Sequence, residues 1–202
     1  KPNPEDDDLP EDEDEEDDAA ANLEEADSDS EMPVDSAVAK SKGRVVISGI
    51  GKSAIIAQKI VATCNSTGTH SVYLHAADAI HGDSGMIHSS DIILIISKSG
   101  ESPEIKNLVQ LIRNFGNKLV AMVGNRESYL AKQANWILDT TINKEACMHN
   151  LAPTSSTTVQ MVMGDLLAMC LMEIKEFKAT DFAKFHPGGN LGKRLTLTTG
   201  QM

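Results

Sequence analysis

The chain has few aromatic side chains, 3% of 202 residues, so it lacks the stacking platform that a single-stranded nucleic acid needs. Its three cysteines, Cys64, Cys147 and Cys170, are too few and too scattered for a disulfide framework, and none belongs to a Cys-x-x-Cys pair. A reducing cytoplasm suits that usage. No basic-then-apolar leader opens the chain. The longest apolar stretch, 159–172, is interrupted by Gly164 and Asp165 and is too short for a bilayer span. Lysine and arginine are not clustered, a poor footing for duplex DNA. Nucleic acid and membrane therefore drop out as expected partners.

What is abundant is acid, in one place. The formal net charge is −12, yet residues 1–35 hold 18 acidic residues and one lysine. From Glu5 to Asp18 only Leu9 and Pro10 are not acidic. Such a run repels itself and offers little to bury, so residues 1–35 are expected to be a disordered acidic tail. Residues 36–202 then form one domain with a net charge of +5, which suits an anionic small molecule.

From Arg44 onwards, short apolar strands alternate with amphipathic helices. Strands are expected at 45–47, 71–75, 91–97, 118–123 and 136–139, and helices at 53–65, 103–114, 128–133 and 155–177. The 91–97 strand, D-I-I-L-I-I-S, is apolar on both faces, as a central parallel strand should be. This alternation predicts an α/β fold, a doubly wound five-stranded parallel sheet flanked by helices, with ligands at the C-terminal ends of its strands. Met161, Met163, Met169 and Met172 on the long helix read as packing.

Three segments at strand-to-helix junctions share glycine and hydroxyls: Ser48-Gly49-Ile50-Gly51-Lys52-Ser53, Ser97-Lys98-Ser99-Gly100-Glu101-Ser102, and Pro153-Thr154-Ser155-Ser156-Thr157-Thr158. Glycine lets backbone approach a ligand, and helix N-terminal N–H groups with hydroxyls suit a phosphate. Serine or threonine before a helix is also an ordinary cap. The first segment is neither a dinucleotide fingerprint nor a P-loop. It lacks the third glycine of the former and the four-residue spacing of the latter.

Together with Ser66-Thr67-Gly68-Thr69, His75, His81-Gly82-Asp83-Ser84-Gly85-Met86, Lys144-Glu145-Ala146-Cys147, 151–158 and the His186-Pro187-Gly188-Gly189 turn, these segments resemble the sugar isomerase (SIS) domain. Within it they resemble the branch that interconverts D-ribulose 5-phosphate and D-arabinose 5-phosphate on the way to the acidic sugar Kdo of lipopolysaccharide and capsules. The resemblance covers about residues 36–195 and implies a flavodoxin-like sheet. It implies that Ser53, Ser97, Ser99 and Ser102 hold the phosphate, with Gly68, Thr69 and His81 also on the substrate. Lys52, Glu104, Glu145 and His186 become the catalytic set.

Glu145 is the expected C1/C2 base, its proton affinity raised towards neutrality by partial burial. His186, stiffened by its Pro-Gly-Gly turn, suits ring opening or proton shuttling. Lys52 and Glu104 also have plain readings, as a surface lysine and a partner of the helix dipole. The resemblance places zinc at His75. Six residues from His81 is no local chelate, so zinc is expected to be inhibitory and no cofactor is required. The resemblance implies a homotetramer with active sites shared between subunits, and in many members a CBS pair follows, expected to be absent here. The competing readings are another SIS sugar-phosphate isomerase, or a non-catalytic sensor. A sensor has no use for Glu145 and His186.

Overall fold

The computed structural model describes residues 32–188. Most of the expected acidic tail, residues 1–31, and the end of the Gly-rich turn from 189 lie outside the described residues. Five parallel strands, β1 (Val45–Gly49), β2 (Ser71–His75), β3 (Ile92–Ser97), β4 (Lys118–Val123) and β5 (Trp136–Asp139), pair in the order β2-β1-β3-β4-β5. That is the expected sheet, and all five strands fall where the periodicity put them. β1 and β3 are buried along their whole length, because helices cover both faces of a parallel sheet.

One face is closed by α1 (Val34–Lys40), α2 (Lys52–Ser66) and α6 (Ser155–Ile174), around Ile47, Ile60, Leu94, Ile96 and Leu171. The other is closed by α3 (Ala76–Ala79), α4 (Pro103–Phe115) and α5 (Tyr129–Gln133), around Val46, Ile93, Ile95, Leu108 and Ile112. Alternate strand residues feed the two cores. α4 carries Pro103 in its first turn and stops at Gly116 in a left-handed C-cap, φ 74°. α2 and α6 approach closely at Gly164, where an added Cβ would stand 2.2 Å from Ile60 Cδ1. Lys59 and Asp165 pair across the same seam.

Several details differ from expectation. The Met32 carbonyl accepts the Trp136 indole N–H at 2.9 Å, and α1 starts at Val34 with Asp35 in its first turn. α6 stops at Ile174 rather than 177, because Glu176 adopts a positive φ of 51° and turns the chain. A further helix, α7 (Ala179–Phe185), follows. The continuous 20-residue α6 is long and apolar enough to cross a membrane by length and composition, contrary to the reading of its sequence. Here it packs along the sheet and α2, with Gln160, Leu167 and Ala168 buried. Met169 does not pack: it is 45% exposed, in line with Val162 and Leu166 on one uncovered stripe of α6.

Candidate active site

β1 sends the chain to α2 on one face and β3 sends it to α4 on the other. The turn 49–52 and the loop 97–102 therefore part at the C-terminal ends of adjacent strands, the switch point at which such sheets bind ligands. The loop after β3 is shaped by its own serines. Ser97 Oγ accepts from Gly100 N at 3.0 Å, and Ser99 Oγ accepts from Glu101 N at 3.3 Å. Gly100 has φ 68°, and a Cβ there would stand 2.2 Å from Ser128 Oγ, so only glycine fits the bend. Glu101 accepts from Tyr129 N and pairs with Lys106 at 2.7 Å, tying the loop to α5 and α4.

Ser102 is different. Its hydroxyl is buried and has no hydrogen-bond partner, and it does not cap α4. The N-terminus of α2 also lacks a side-chain cap. The starts of α2 and α4 thus open uncapped beside the crevice, whereas at the start of α6 Ser156 N is taken by the Glu145 carboxylate and the short α5 is capped by Ser128. A buried polar atom without a partner needs an explanation, and uncapped helix starts favour an anion.

Glu145 sits in the loop after β5, with its side chain fully enclosed. Its carboxylate accepts from Ser156 Oγ at 2.6 Å, Thr154 N at 2.8 Å, Ser156 N at 3.1 Å and Thr154 Oγ1 at 3.2 Å. Lys98 Nζ, from the middle of the serine loop, stands 2.7 Å away. The loop holds its shape through Cys147 Sγ, which accepts from Leu151 N and Ala152 N, and through Asn150, which accepts from Glu145 N. Burial by itself would raise this carboxyl, as the sequence suggested. The Lys98 ammonium, the Ser156 hydroxyl and the two amides outweigh it and hold Glu145 well below the usual carboxylate range. The expected rise towards neutrality is therefore corrected: a full set of donors, hidden in the sequence, surrounds the buried carboxylate.

The other expected residues divide between two ends of the molecule. Lys52 and Ser53 open α2 beside the crevice. Lys52 is exposed and makes no ion pair among the described residues, while Ser53 Oγ donates to Gln160 Oε1 at 3.2 Å. Glu104 lies half-buried in the first turn of α4. His81 is exposed on the loop after α3. His75 closes β2, and its buried Nδ1 lies 3.4 Å from Asp78 Oδ2 without hydrogen-bond geometry. Among the described residues no group of three or more His, Cys, Asp or Glu converges, and Asp78 is the carboxylate paired with His75.

Gly68, Thr69 and His186 are at the far end. Lys175, just past α6, donates to Thr69 Oγ1 at 3.0 Å, and Gly68 faces Phe177. Phe177 stacks on Phe185, and the His186 ring stacks on Phe182 with Nδ1 2.8 Å from the Phe182 carbonyl. α6 separates this group from Glu145, and its 20 residues span about 30 Å. One subunit does not bring His186 to the serine loops.

Sequence reasoning missed Lys98. It stands inside the second hydroxyl-rich segment with no role assigned to it, and only the fold brings it to Glu145. The third hydroxyl segment, 153–158, was visible, but its contact is with Glu145.

A profile of the SIS domain matches residues 38–170. Arabinose 5-phosphate isomerase KdsD of Pseudomonas aeruginosa is 54% identical over 156 residues, 77% of this chain and 48% of that protein. Arabinose 5-phosphate isomerase KpsF of Escherichia coli O6:H1 is 46% identical over 178 residues, 88% of this chain and 54% of that protein. The chain spans about half the length of the curated relatives it matches. A solved protein of E. coli CFT073, in complex with arabinose 5-phosphate, is 38% identical with a TM-score of 0.74, covering 76% of this chain and 81% of that one.

Proposed function

The chain belongs to the SIS domain family, and from that premise we propose that it is an aldose–ketose isomerase interconverting D-ribulose 5-phosphate and D-arabinose 5-phosphate. The observation that carries this reading is the junction of two different needs in one crevice. Uncapped helix starts and the unpartnered Ser102 hydroxyl suit a phosphoryl group, and an enclosed carboxylate stands directly beside that loop. A binding module needs only the first. The relatives named arabinose 5-phosphate isomerase and the neighbour in complex with arabinose 5-phosphate support the five-carbon substrate.

In this reading the phosphoryl dianion lies on the 97–102 loop and the start of α2, with Ser53, Ser99, Ser102 and Lys52 around it. Glu145 takes the proton from C2 of the open-chain aldose. The C2–H electrons become the C1=C2 bond, and the former carbonyl oxygen carries the charge. A proton then passes from the C2 hydroxyl to that oxygen, and as Glu145 returns its own proton to C1 the C2=O bond of the ketose forms, with no net gain or loss of atoms. This proton transfer needs no redox cofactor, and we assign zinc at His75 no step. Glu104 and His81 border the crevice as further polar groups on the sugar.

His186, Gly68 and Thr69 serve a neighbouring subunit's crevice. A homotetramer with shared sites would reconcile their distance from Glu145, and the uncovered stripe of Val162, Leu166 and Met169 is apolar enough to be covered in it. The product would supply Kdo synthesis in the cytoplasm.

The test is conversion of ribulose 5-phosphate to arabinose 5-phosphate by the purified chain, alongside six- and seven-carbon ketose phosphates. Turnover of the pentulose phosphate with the highest kcat/KM is expected. Binding of the sugar phosphates without turnover of any of them overturns the enzyme reading in favour of a sensor.

A further inference from the structure

Lys98 and Glu145 come from loops 47 residues apart and meet at 2.7 Å, but they are held very differently. The carboxylate is fully enclosed, whereas the lysine side chain is 48% exposed. Without Lys98, Glu145 would still accept four hydrogen bonds from Ser156 and Thr154, so its position does not depend on the ammonium. Among the described residues Lys98 Nζ has no second hydrogen-bond partner. It rises from the loop to which the phosphoryl group is assigned, between Ser97 and Ser99. Lys106, the cation at the start of the helix that follows, is already paired with Glu101. From the elements around Glu145, the loop after β3 offers Lys98, the 150–154 segment offers Asn150 and Thr154, and α6 offers Ser156. Lys98 is the one charged group in contact with it among the described residues.

We propose that Lys98 is a mobile counterion shared between Glu145 and the substrate's phosphoryl group, paired with the carboxylate before substrate arrives and drawn to the dianion when the serine loop is filled. This rests on the assignments of the loop and of Glu145 given above. A phosphoryl group carries more charge than a carboxylate and presents three acceptor oxygens, so it competes well for a flexible, half-exposed ammonium. While Lys98 is on Glu145, the carboxylate is a weak base. Once Lys98 leaves, the opposite charge is gone and burial acts with less opposition, so the proton affinity of Glu145 rises towards what proton abstraction needs. The base is thus readied by the cargo it must act on. Lys98 is a positioning residue here, not the group that moves the proton.

The test follows the Glu145 carboxyl carbon by NMR in protein labelled with [13C]glutamate, assigned by its loss in Glu145→Gln. Its chemical shift is followed at about pH 8, where phosphate is mainly the dianion, as inorganic phosphate is added to the parent and to Lys98→Met. In the parent, phosphate should displace the Glu145 signal as Lys98 leaves the carboxylate. In Lys98→Met the signal should start displaced in the same direction, and the phosphate-induced displacement should shrink by more than half, because only direct repulsion remains. Equal displacements in both proteins overturn the proposal, since they mean that Lys98 stays where it is. In kinetics, Lys98→Met should raise KM about 10- to 100-fold, the range for losing a hydrogen bond to a charged group, with kcat changed less than about threefold. A fall in kcat at unchanged KM also overturns it. Retained turnover in Glu145→Gln would instead remove the base assignment, a separate failure that leaves the carbon titrations readable.

Discussion

The two edges of the sheet treat buried polar groups in opposite ways. At the edge where the strands begin, Asp91 accepts from Arg44 N, Nε and Nη2 and from His88 N, all between 2.7 and 3.3 Å. Asn117 Nδ2 donates to the carbonyls of His88 and Asp91, and Asn135 Oδ1 accepts from Leu119 N. At the edge where the strands end, Ser48 Oγ, His75 Nδ1, Ser102 Oγ and Thr140 Oγ1 are buried with no partner, against Asn117 Oδ1 alone at the other edge among the described residues. An unsatisfied buried polar atom costs about 1–3 kcal/mol, so this distribution is a stability cost concentrated at one edge. The two enclosed carboxylates repeat the contrast. Asp91 is gripped by a planar guanidinium that also holds the Met86 carbonyl, whereas Glu145 has a single flexible ammonium that can leave. One edge is built to stay, the other to exchange partners.

The strongest way to break that comparison is Glu145→Gln. Turnover should fall by about 10²- to 10⁴-fold with KM within a few-fold, as read in the ribulose 5-phosphate assay. A variant with near-normal kcat would make Glu145 a second structural carboxylate like Asp91. Next comes Asp91→Ala, which should lower stability by roughly 3 kcal/mol, because Arg44 loses its partner, and leave KM unchanged. Urea unfolding and the same assay check it. A lowered kcat at unchanged stability would reverse the roles of the two edges.

Ser102→Ala sharpens the contrast. Removing an unpartnered hydroxyl should leave stability unchanged or raise it by up to about 1 kcal/mol, while KM rises about tenfold. Destabilisation without a change in KM would give Ser102 a structural duty. The smallest effect is in acid. Burial opposes ionisation of Asp91, but Arg44 and the His88 and Arg44 amides prevail and hold it below its ordinary value. A lowered carboxyl contributes stability above its unfolded value, and that contribution is lost as pH falls through the folded one. Asp91→Asn should therefore lose less stability than the parent between about pH 5 and pH 3 in urea unfolding. Equal acid slopes would show that the Arg44 pair contributes nothing to acid sensitivity.

The strands, the two-faced sheet and the serine loop were legible because they are local. Apolar runs such as Ile92–Ser97 bury on both faces, and Pro103 marks a helix start wherever it is packed. α7 was not legible, since Ala179–Phe185 has a single fully buried residue, Ala183, and gives little periodic signal. The site was legible as residue types but not as energetics. Glu145 was found, but the sign of its perturbation depends on Lys98, Thr154 and Ser156, which only the tertiary fold assembles. His186 shows the same limit: a stiff turn is visible in sequence, but the end of the molecule it occupies is not.

The chain has one tryptophan, and it lies far from the crevice, on β5 with its indole bound to the Met32 carbonyl. Intrinsic fluorescence should therefore follow detachment of the segment at Met32 and global unfolding, and stay nearly silent while sugar phosphates come and go. Denaturation can be monitored optically in the presence of ligand without the signal being confounded by occupancy.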